Sequence, residues 1–480
     1  MRYDVVVVGA GAAGCAVAAR LSEDERRRVL LLEAGPDYDE LPPDVRSSWV
    51  PTRAHDWGFV AEPDALGRRI TLPRGKLVGG CSATNACIAL RGSPADYDGW
   101  GIDGWRFIDV LPFFRQLETD ADFDDEWHGR DGPLPVGRYG EDELTAVQRA
   151  ALEAALAAGH PPAGDHNRPG VVGMGAAPMN QRDGVRISAA LAYVAPARTR
   201  PNLTIQADGL VDRVLVGRGV VLANGETIDA DEVVLTAGAY GSPAILMRSG
   251  IGPADELKLH GIDCIANLPA VGGNLVDHPI VSFAFATTGE RAAPRFQTIL
   301  TWHSETADPA GAPDLQLIPV SAFEIEPEVW QFTLIASVLK PRSRGHVGLS
   351  SRDPRDPPRI TTGHLTHPED VARMAEALRE LRRIALTEPL ASLTAGRELD
   401  PPDDFDLDQT ARARVETYHH PVGTCALGTV VDVDGRVHGV KGIRLADASV
   451  MPDIPSANTH LPTLMVAEKV ASLLRQSARR

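Results

Sequence analysis

Four consecutive valines running into a glycine turn constrain this chain more than any other feature. In YDVVVVGAGAAGCAVAARLSE, Asp4 to Val8 read as a strand and the stretch that reaches about Leu21 as a helix. An unbroken valine run lacks the alternation of a half-exposed strand, so it predicts a strand covered on both faces, as in a parallel sheet. Between the two elements, Gly9, Gly11 and Gly14 form G-x-G-x-x-G, with Ala12 and Ala13 opening the helix. Glycine there permits the tight turn, the approach of a pyrophosphate and close helix-on-strand packing, while the helix N-terminus faces the anion. A second apolar run, VLLLEAG, ends at Glu33 and Ala34, where a carboxylate can accept from a ribose hydroxyl. Strand, turn, helix, strand and acid together predict an α/β dinucleotide-binding unit. Nothing within this unit separates FAD from NAD.

The chain has 480 residues, enough for one large two-part unit or two to three domains. Its formal charge of −17 gives an acidic field that repels a phosphate backbone, and its basic clusters are short, so nucleic acid is not an expected partner. Cys15, Cys81, Cys87, Cys264 and Cys425 are scattered without a C-x-x-C, which predicts neither disulfides nor a zinc site and fits a reducing, cytoplasmic setting. The apolar start is broken by glycines and lacks a cleavage pattern, so it reads as a fold element and not a signal peptide. No uninterrupted apolar run is long enough to span a bilayer; peripheral attachment and oligomeric state are left open.

Residues 73–92, PRGKLVGGCSATNACIALRG, decide the cofactor. Their small residues let a backbone lie close to a flat ligand, and the segment resembles the first signature of the glucose-methanol-choline (GMC) flavoprotein oxidoreductases. That resemblance implies that Val78, Gly79, Gly80 and Cys81, followed by Asn85 and Ala86, lie along a flavin. GAYGSPAILMRSGIG, Gly238 to Gly252, matches the second signature, VGGNLVDHP at 271–279 the short turn that follows, and Leu445 to Leu474 the C-terminal flavin segment. The same resemblance implies adenine-side contacts at Val211 and Ala237, flavin contacts at Asp447 and Ala448, and FAD as cofactor. Thr84 stands where some relatives carry a histidine bonded to the flavin, so the expected FAD is noncovalent. Cys81 replaces the usual Gly, Ser or Thr, and Ala86 a common Gly or Ser.

ETYHHPVGTCALG, residues 416–428, carries two adjacent histidines. A residue before proline is pushed toward extended backbone, and neighbours on an extended chain point to opposite sides, so one of the pair is expected to face a given pocket. In the family pattern H-x-x-G-T the active imidazole is His420; His419 is either a substrate contact or a structural histidine. Divergent directions and the lack of a nearby ligand argue against metal binding by the pair. In PSANTHLPT the family places the second active-site residue, a His or Asn, at Asn458, and leaves His460 without a catalytic role. Pro462 to Leu474 reads as a helix with an apolar stripe at Leu464, Ala467, Ala471 and Leu474.

These readings imply an alcohol oxidation in which neutral His420 takes the hydroxyl proton, Asn458 orients the oxygen, and hydride passes to the flavin. The partners are then a small-molecule alcohol and an acceptor: oxygen, a quinone or another carrier. The expected fold is α/β (α+β overall): a Rossmann-like FAD-binding domain from 1–135, 182–280 and 418–480, and an antiparallel-sheet substrate domain with flanking helices from 136–181 and 281–417. Within these, Asn224-Gly225 predicts a hairpin, Glu232 to Thr236 a returning strand, the alternating DLQLIPV, QFTLIASVL and GHVGLS strands of the substrate sheet, and Val371 to Ala385 a helix. ETDADFDDEW, 118–127, reads as a solvated surface run. Three rival readings stay open: a nicotinamide dehydrogenase, which shares only the first unit; a hydroxynitrile lyase-like GMC protein; and a mycofactocinol-oxidising dehydrogenase, suggested by the compact length.

Overall fold

The computed structural model describes residues 2–288, 293–394, 398–400 and 406–477. Arg2–Val8 forms the central strand of a seven-stranded sheet, flanked by Val29–Leu32 and Thr227–Leu235, both parallel to it. Leu203–Gln206 and Ile443–Leu445 extend the parallel part, and Gly219–Leu222 and Val211–Leu215 add an antiparallel edge. Val5 to Val8 and Leu30 to Leu32 are buried, as a strand with both faces covered requires. The strand starts two residues before Asp4, and the expected returning strand runs over Thr227–Leu235. The predicted hairpin joins it to Gly219–Leu222, with Gly225 at φ 90° in the turn. Helix Ala12–Leu21 packs beneath this sheet against the C-terminal helix His460–Ser477.

The second seven-stranded sheet is built on antiparallel pairing of Pro279–Thr287, Val329–Val338, Leu315–Glu326, Thr298–Trp302 and Gly173–Ala176. Its faces divide by period two: Val281, Phe283 and Phe285 join the core under helices Ala146–Ala157 and Pro368–Ala385, whereas Ile280 and Ser282 face the opposite way, onto a cavity. This is the α/β fold with an antiparallel roof that the motifs predict, with one strand placed elsewhere: His346–Gly348, within GHVGLS, pairs with Arg359–Thr361 in a separate ribbon. The helix expected from Val371 starts three residues earlier, at Pro368, because His367 caps it by accepting from the Glu369 amide. The helix expected from Pro462 starts at His460 and is buried well beyond a stripe, since Met465, Val466 and Val470 also lie in the core.

The acidic run is not a solvated segment throughout. Glu118 and Asp120 are buried in a short strand paired with Leu134–Val136, while Asp122, Asp124 and Glu126 stay exposed. Arg91 pairs with Glu118, and Arg138 bridges Asp120 (2.8 Å) and Asp165 (3.0 Å). His128 stands among them, 3.0 Å from Asp120 and 2.9 Å from Asp165. Burial works against charge on this imidazole, but hydrogen bonds to Asp120, Asp165 and Glu118 outweigh it and hold the ring's pKa up at about 10. Glu118, Asp120 and His128 are close enough to share a metal ion. Protonated His128 nevertheless has no lone pair to give, and two guanidiniums already neutralise the carboxylates. The cluster is an ion-pair lock that ties the 118–138 segment to Arg91. All five cysteines are free thiols. Among the described residues no helix is long and apolar enough to cross a membrane.

Candidate active site

A cavity of about 760 Å³ runs from the glycine turn to the second sheet. At one end the turn is shaped by contacts only glycine allows. Gly9 has φ 98°, and a Cβ on Gly14 would lie 1.9 Å from the Gly9 carbonyl oxygen. A Cβ on Gly80 would meet Gly11 Cα at 2.7 Å, so the two loops touch backbone to backbone, and the Gly79 amide donates to the Ala10 carbonyl at 2.7 Å. A Cβ on Gly11 would meet no protein atom within 4 Å; it would project into open space at the start of the helix. Glu33 accepts from the Ala10 (3.0 Å) and Gly35 (2.9 Å) amides, and burial nonetheless pushes its pKa up to about 7.

Of the residues singled out for cofactor contact, Gly9, Gly11, Ala12, Ala13, Glu33, Ala34, Gly80, Cys81, Asn85, Ala86, Val211, Ala237, Asp447 and Ala448 line this cavity. Gly14, Val78 and Gly79 do not; they sit behind the wall and shape it. Asp447 is spent on structure, accepting from the Gly238 and Ser449 amides (2.8 Å each) and the Ser242 hydroxyl (2.6 Å).

At the other end, both His419 and His420 line the cavity. The expectation that only one could face it fails because His419 has φ 68°, a left-handed residue that breaks the alternation of extended chain. Arg74 donates to its carbonyl at 2.7 Å and the Thr417 hydroxyl accepts from its amide at 2.8 Å, which hold that turn. The Asn458 amide donates to His420 Nε2 at 3.2 Å, which makes Nε2 the acceptor and leaves the ring proton on Nδ1. That proton is directed at His278 Nδ1, 3.0 Å away. Asp277 accepts from the His420 backbone amide at 2.8 Å, as well as from the Thr417 hydroxyl. Burial first, then the neighbouring His278, hold His420 well below its ordinary pKa against the opposing pull of Asp277, so the imidazole is neutral. His419 is held at about 4, by burial and then by Arg74.

Sequence reading passed over Asp277, His278 and Arg74 as site residues. The first two lie inside the quoted VDHP turn, but their role depends on a strand that reaches His420 across 142 positions. The Asn458 carbonyl oxygen, His419 Nδ1 and His460 Nε2 are buried with no hydrogen-bond partner among the described residues. His460 lines the cavity at the first position of the C-terminal helix, and burial lowers its pKa to about 4.

Two GMC oxidoreductase family profiles match this chain, over residues 3–280 and 341–467. The chain belongs to the GMC oxidoreductase family. It is 35% identical to an oxygen-dependent choline dehydrogenase of Paraburkholderia phymatum, over 99% of this chain and 93% of that one. It is also 35% identical to an uncharacterized GMC-type oxidoreductase of the thcA 5′ region of Rhodococcus erythropolis, over 98% of both chains. Among solved structures, pyridoxine 4-oxidase from Mesorbium loti superposes with a TM-score of 0.91 at 33% identity, over 100% of this chain and 99% of that one. FAD is the cofactor of this GMC chain, and the cavity fits it: a helix N-terminus with an unfilled glycine position for a pyrophosphate, an acid for a ribose, and partnerless polar groups beside a small-residue loop.

Proposed function

We propose that this GMC oxidoreductase oxidises a primary or secondary alcohol, with His420 as the base and Asn458 as the residue that orients the hydroxyl. The observation that carries the reading is the 3.2 Å contact between the Asn458 amide and a neutral His420 Nε2, inside the cofactor cavity. A substrate hydroxyl can replace that contact with two, donating its proton to Nε2 and accepting from the Asn458 amide. As the proton moves to Nε2, the Asn458 N–H stabilises the negative charge growing on the oxygen. The imidazolium so formed keeps its Nδ1 proton on His278 and lies close to Asp277, whose pKa is held far below the usual carboxylate range. Bound FAD supplies the two-electron acceptor for the hydride that leaves the carbinol carbon.

Gly11 with Ala12 and Ala13 would hold the pyrophosphate, Glu33 the ribose, and the Gly80–Ala86 loop the ring. Thr84 lines the cavity and its hydroxyl donates to the Cys81 carbonyl at 3.3 Å; with no imidazole there, FAD is held noncovalently and leaves with the supernatant after acid precipitation. Residues 1–135, 182–280 and 418–480 form the cofactor unit in this reading, and 136–181 and 281–417 the substrate unit. The test is anaerobic mixing of the yellow holoenzyme with a panel of alcohols. Bleaching of the flavin supports alcohol oxidation; an unbleached, FAD-loaded protein across the panel rejects it. Admitting oxygen afterwards separates an oxidase, which regains colour at once, from a dehydrogenase that needs a quinone or another carrier.

A further inference from the structure

We propose that the alcohol taken by this site is uncharged with an apolar or aromatic body, and that quaternary-ammonium alcohols are rejected; this rests on the reading of His420 and Asn458 above. The wall beside that pair comes from the second sheet. Ser282 pairs with Ile335 and Ile335 with Ile318, so the three form one cross-strand row, and all line the cavity. Ile88 and Phe296 line it too. The Tyr418 ring lies 4.2 Å from His420, centroid to centroid, and its hydroxyl donates to Gln316 at 2.8 Å and also lies in reach of the Asn458 amide. A body laid against the cross-strand row meets carbon and one serine hydroxyl.

The charges around the cavity point the same way. A permanent cation leaving water needs a facing carboxylate or an aromatic cage. Among the described residues one aromatic side chain other than histidine, Tyr418, packs on His420, while Trp57 stacks on Phe59 and already carries Lys76 over its face. Four carboxylates line the cavity. Glu33 and Asp447 accept from buried backbone amides, Asp356 accepts from the Ser351 hydroxyl, and Glu416 is exposed. Asp277, behind the wall, already accepts from His420 and Thr417 and faces His364 at 3.6 Å. Positive charge, by contrast, stands in the wall itself. Arg74 lines the cavity, donates to the His419 carbonyl and has no ion pair among the described residues. Its charge opposes protonation of both His419 and His420. A guanidinium in this wall opposes a trimethylammonium group placed beside it, as one like charge opposes another.

Choline and 3,3-dimethylbutan-1-ol share size and shape and differ by one positive charge, so they isolate this term. The holoenzyme is mixed anaerobically with each, and the second-order rate of flavin bleaching is compared. The neutral alcohol is expected to react about thirtyfold faster or more, as one desolvated like charge implies, and benzyl alcohol to react with it. Ser282→Asp, which places a carboxylate in the apolar row, is expected to narrow the ratio by about tenfold; the unaltered enzyme decides the matter should that variant not fold. Choline reacting as fast as its neutral isostere, or faster, overturns the proposal while leaving alcohol oxidation standing. Failure of every alcohol to bleach bound FAD overturns the alcohol reading itself, and this proposal with it.

Discussion

At the scale of single residues, the proposed oxidation turns on one imidazole kept neutral by its surroundings. His420→Gln retains a polar side chain but cannot take a proton, so flavin reduction by a good alcohol substrate should slow by about 10²–10⁴ while FAD stays bound. Stopped-flow bleaching read beside the visible spectrum checks both halves. The pH profile follows from the same burial. A base acts only when unprotonated, and His420 is held below the ordinary 6.5, so falling pH reaches its titration late. The bimolecular rate of reduction should therefore show no acid-side break near pH 6.5, and the break should appear well below it. An inflection at the ordinary histidine value would show that His420 is not the base. That His420 and Asn458 would meet was legible because short motifs carry them. The expectation that only one of the two histidines faces the cavity fails for a reason equally specific: the rule for residues before proline describes His420, and nothing local announces that His419 ahead of it turns left-handed under the hold of Arg74 and Thr417.

At the scale of elements, the glycine turn separates folding from binding within six residues. Gly14 is pressed against the Gly9 carbonyl, so Gly14→Ala must push the helix off the strand and should cost stability whether or not FAD is present. Gly11 has ordinary backbone, φ −71°, and open space where a Cβ would go. Gly11→Ala should fold with an unchanged melting temperature for the FAD-free protein but lose FAD, giving colourless protein, because the added methyl occupies the place of the pyrophosphate. Circular dichroism and the flavin absorbance distinguish the two variants, and a yellow Gly11→Ala would place the pyrophosphate elsewhere. Such a turn is legible in sequence because strand, glycines and helix are contiguous. The acidic run at 118–127 was not, because what buries Glu118 and Asp120 comes from Arg91, Arg138 and Asp165, each in another segment. Removing one partner weakens the rest: Arg91→Ala should destabilise by about 3–5 kcal/mol in chemical denaturation, the cost of breaking a buried ion pair and leaving Glu118 to His128 alone.

For the whole molecule, the parallel sheet, the antiparallel roof and the cavity between them concentrate neutral histidines in the interior, and that sets a pH limit on the fold. His166, His278, His419 and His460 are held at about 4 and His420 is also held low, in every case by burial first. Each gains a proton on unfolding at any pH between its folded value and 6.5. Their contribution is thus complete above 6.5 and is lost as pH falls toward 4, by up to about 2 kcal/mol per ring between pH 6.5 and 5. Two buried acids act in reverse: Glu33, raised by burial to about 7, favours the folded state as pH falls through the same window, and Asp447, also raised by burial, does so as pH falls through its own folded value toward the ordinary 3.8. His128, held at about 10, adds a stabilisation already complete below 6.5, and Asp120 and Glu380, each near 2, keep theirs until the unfolded carboxylates titrate near 4. Five histidines against two acids leave a net loss on the acid side. Denaturant midpoints of the holoenzyme should fall steadily from about pH 7 to about pH 5, and a His460→Asn variant that still binds FAD should fall less steeply by the share of one ring. A midpoint that holds level across this range would mean that water or protons reach these rings in the folded protein, and the dry, neutral surroundings required of His420 would go with them.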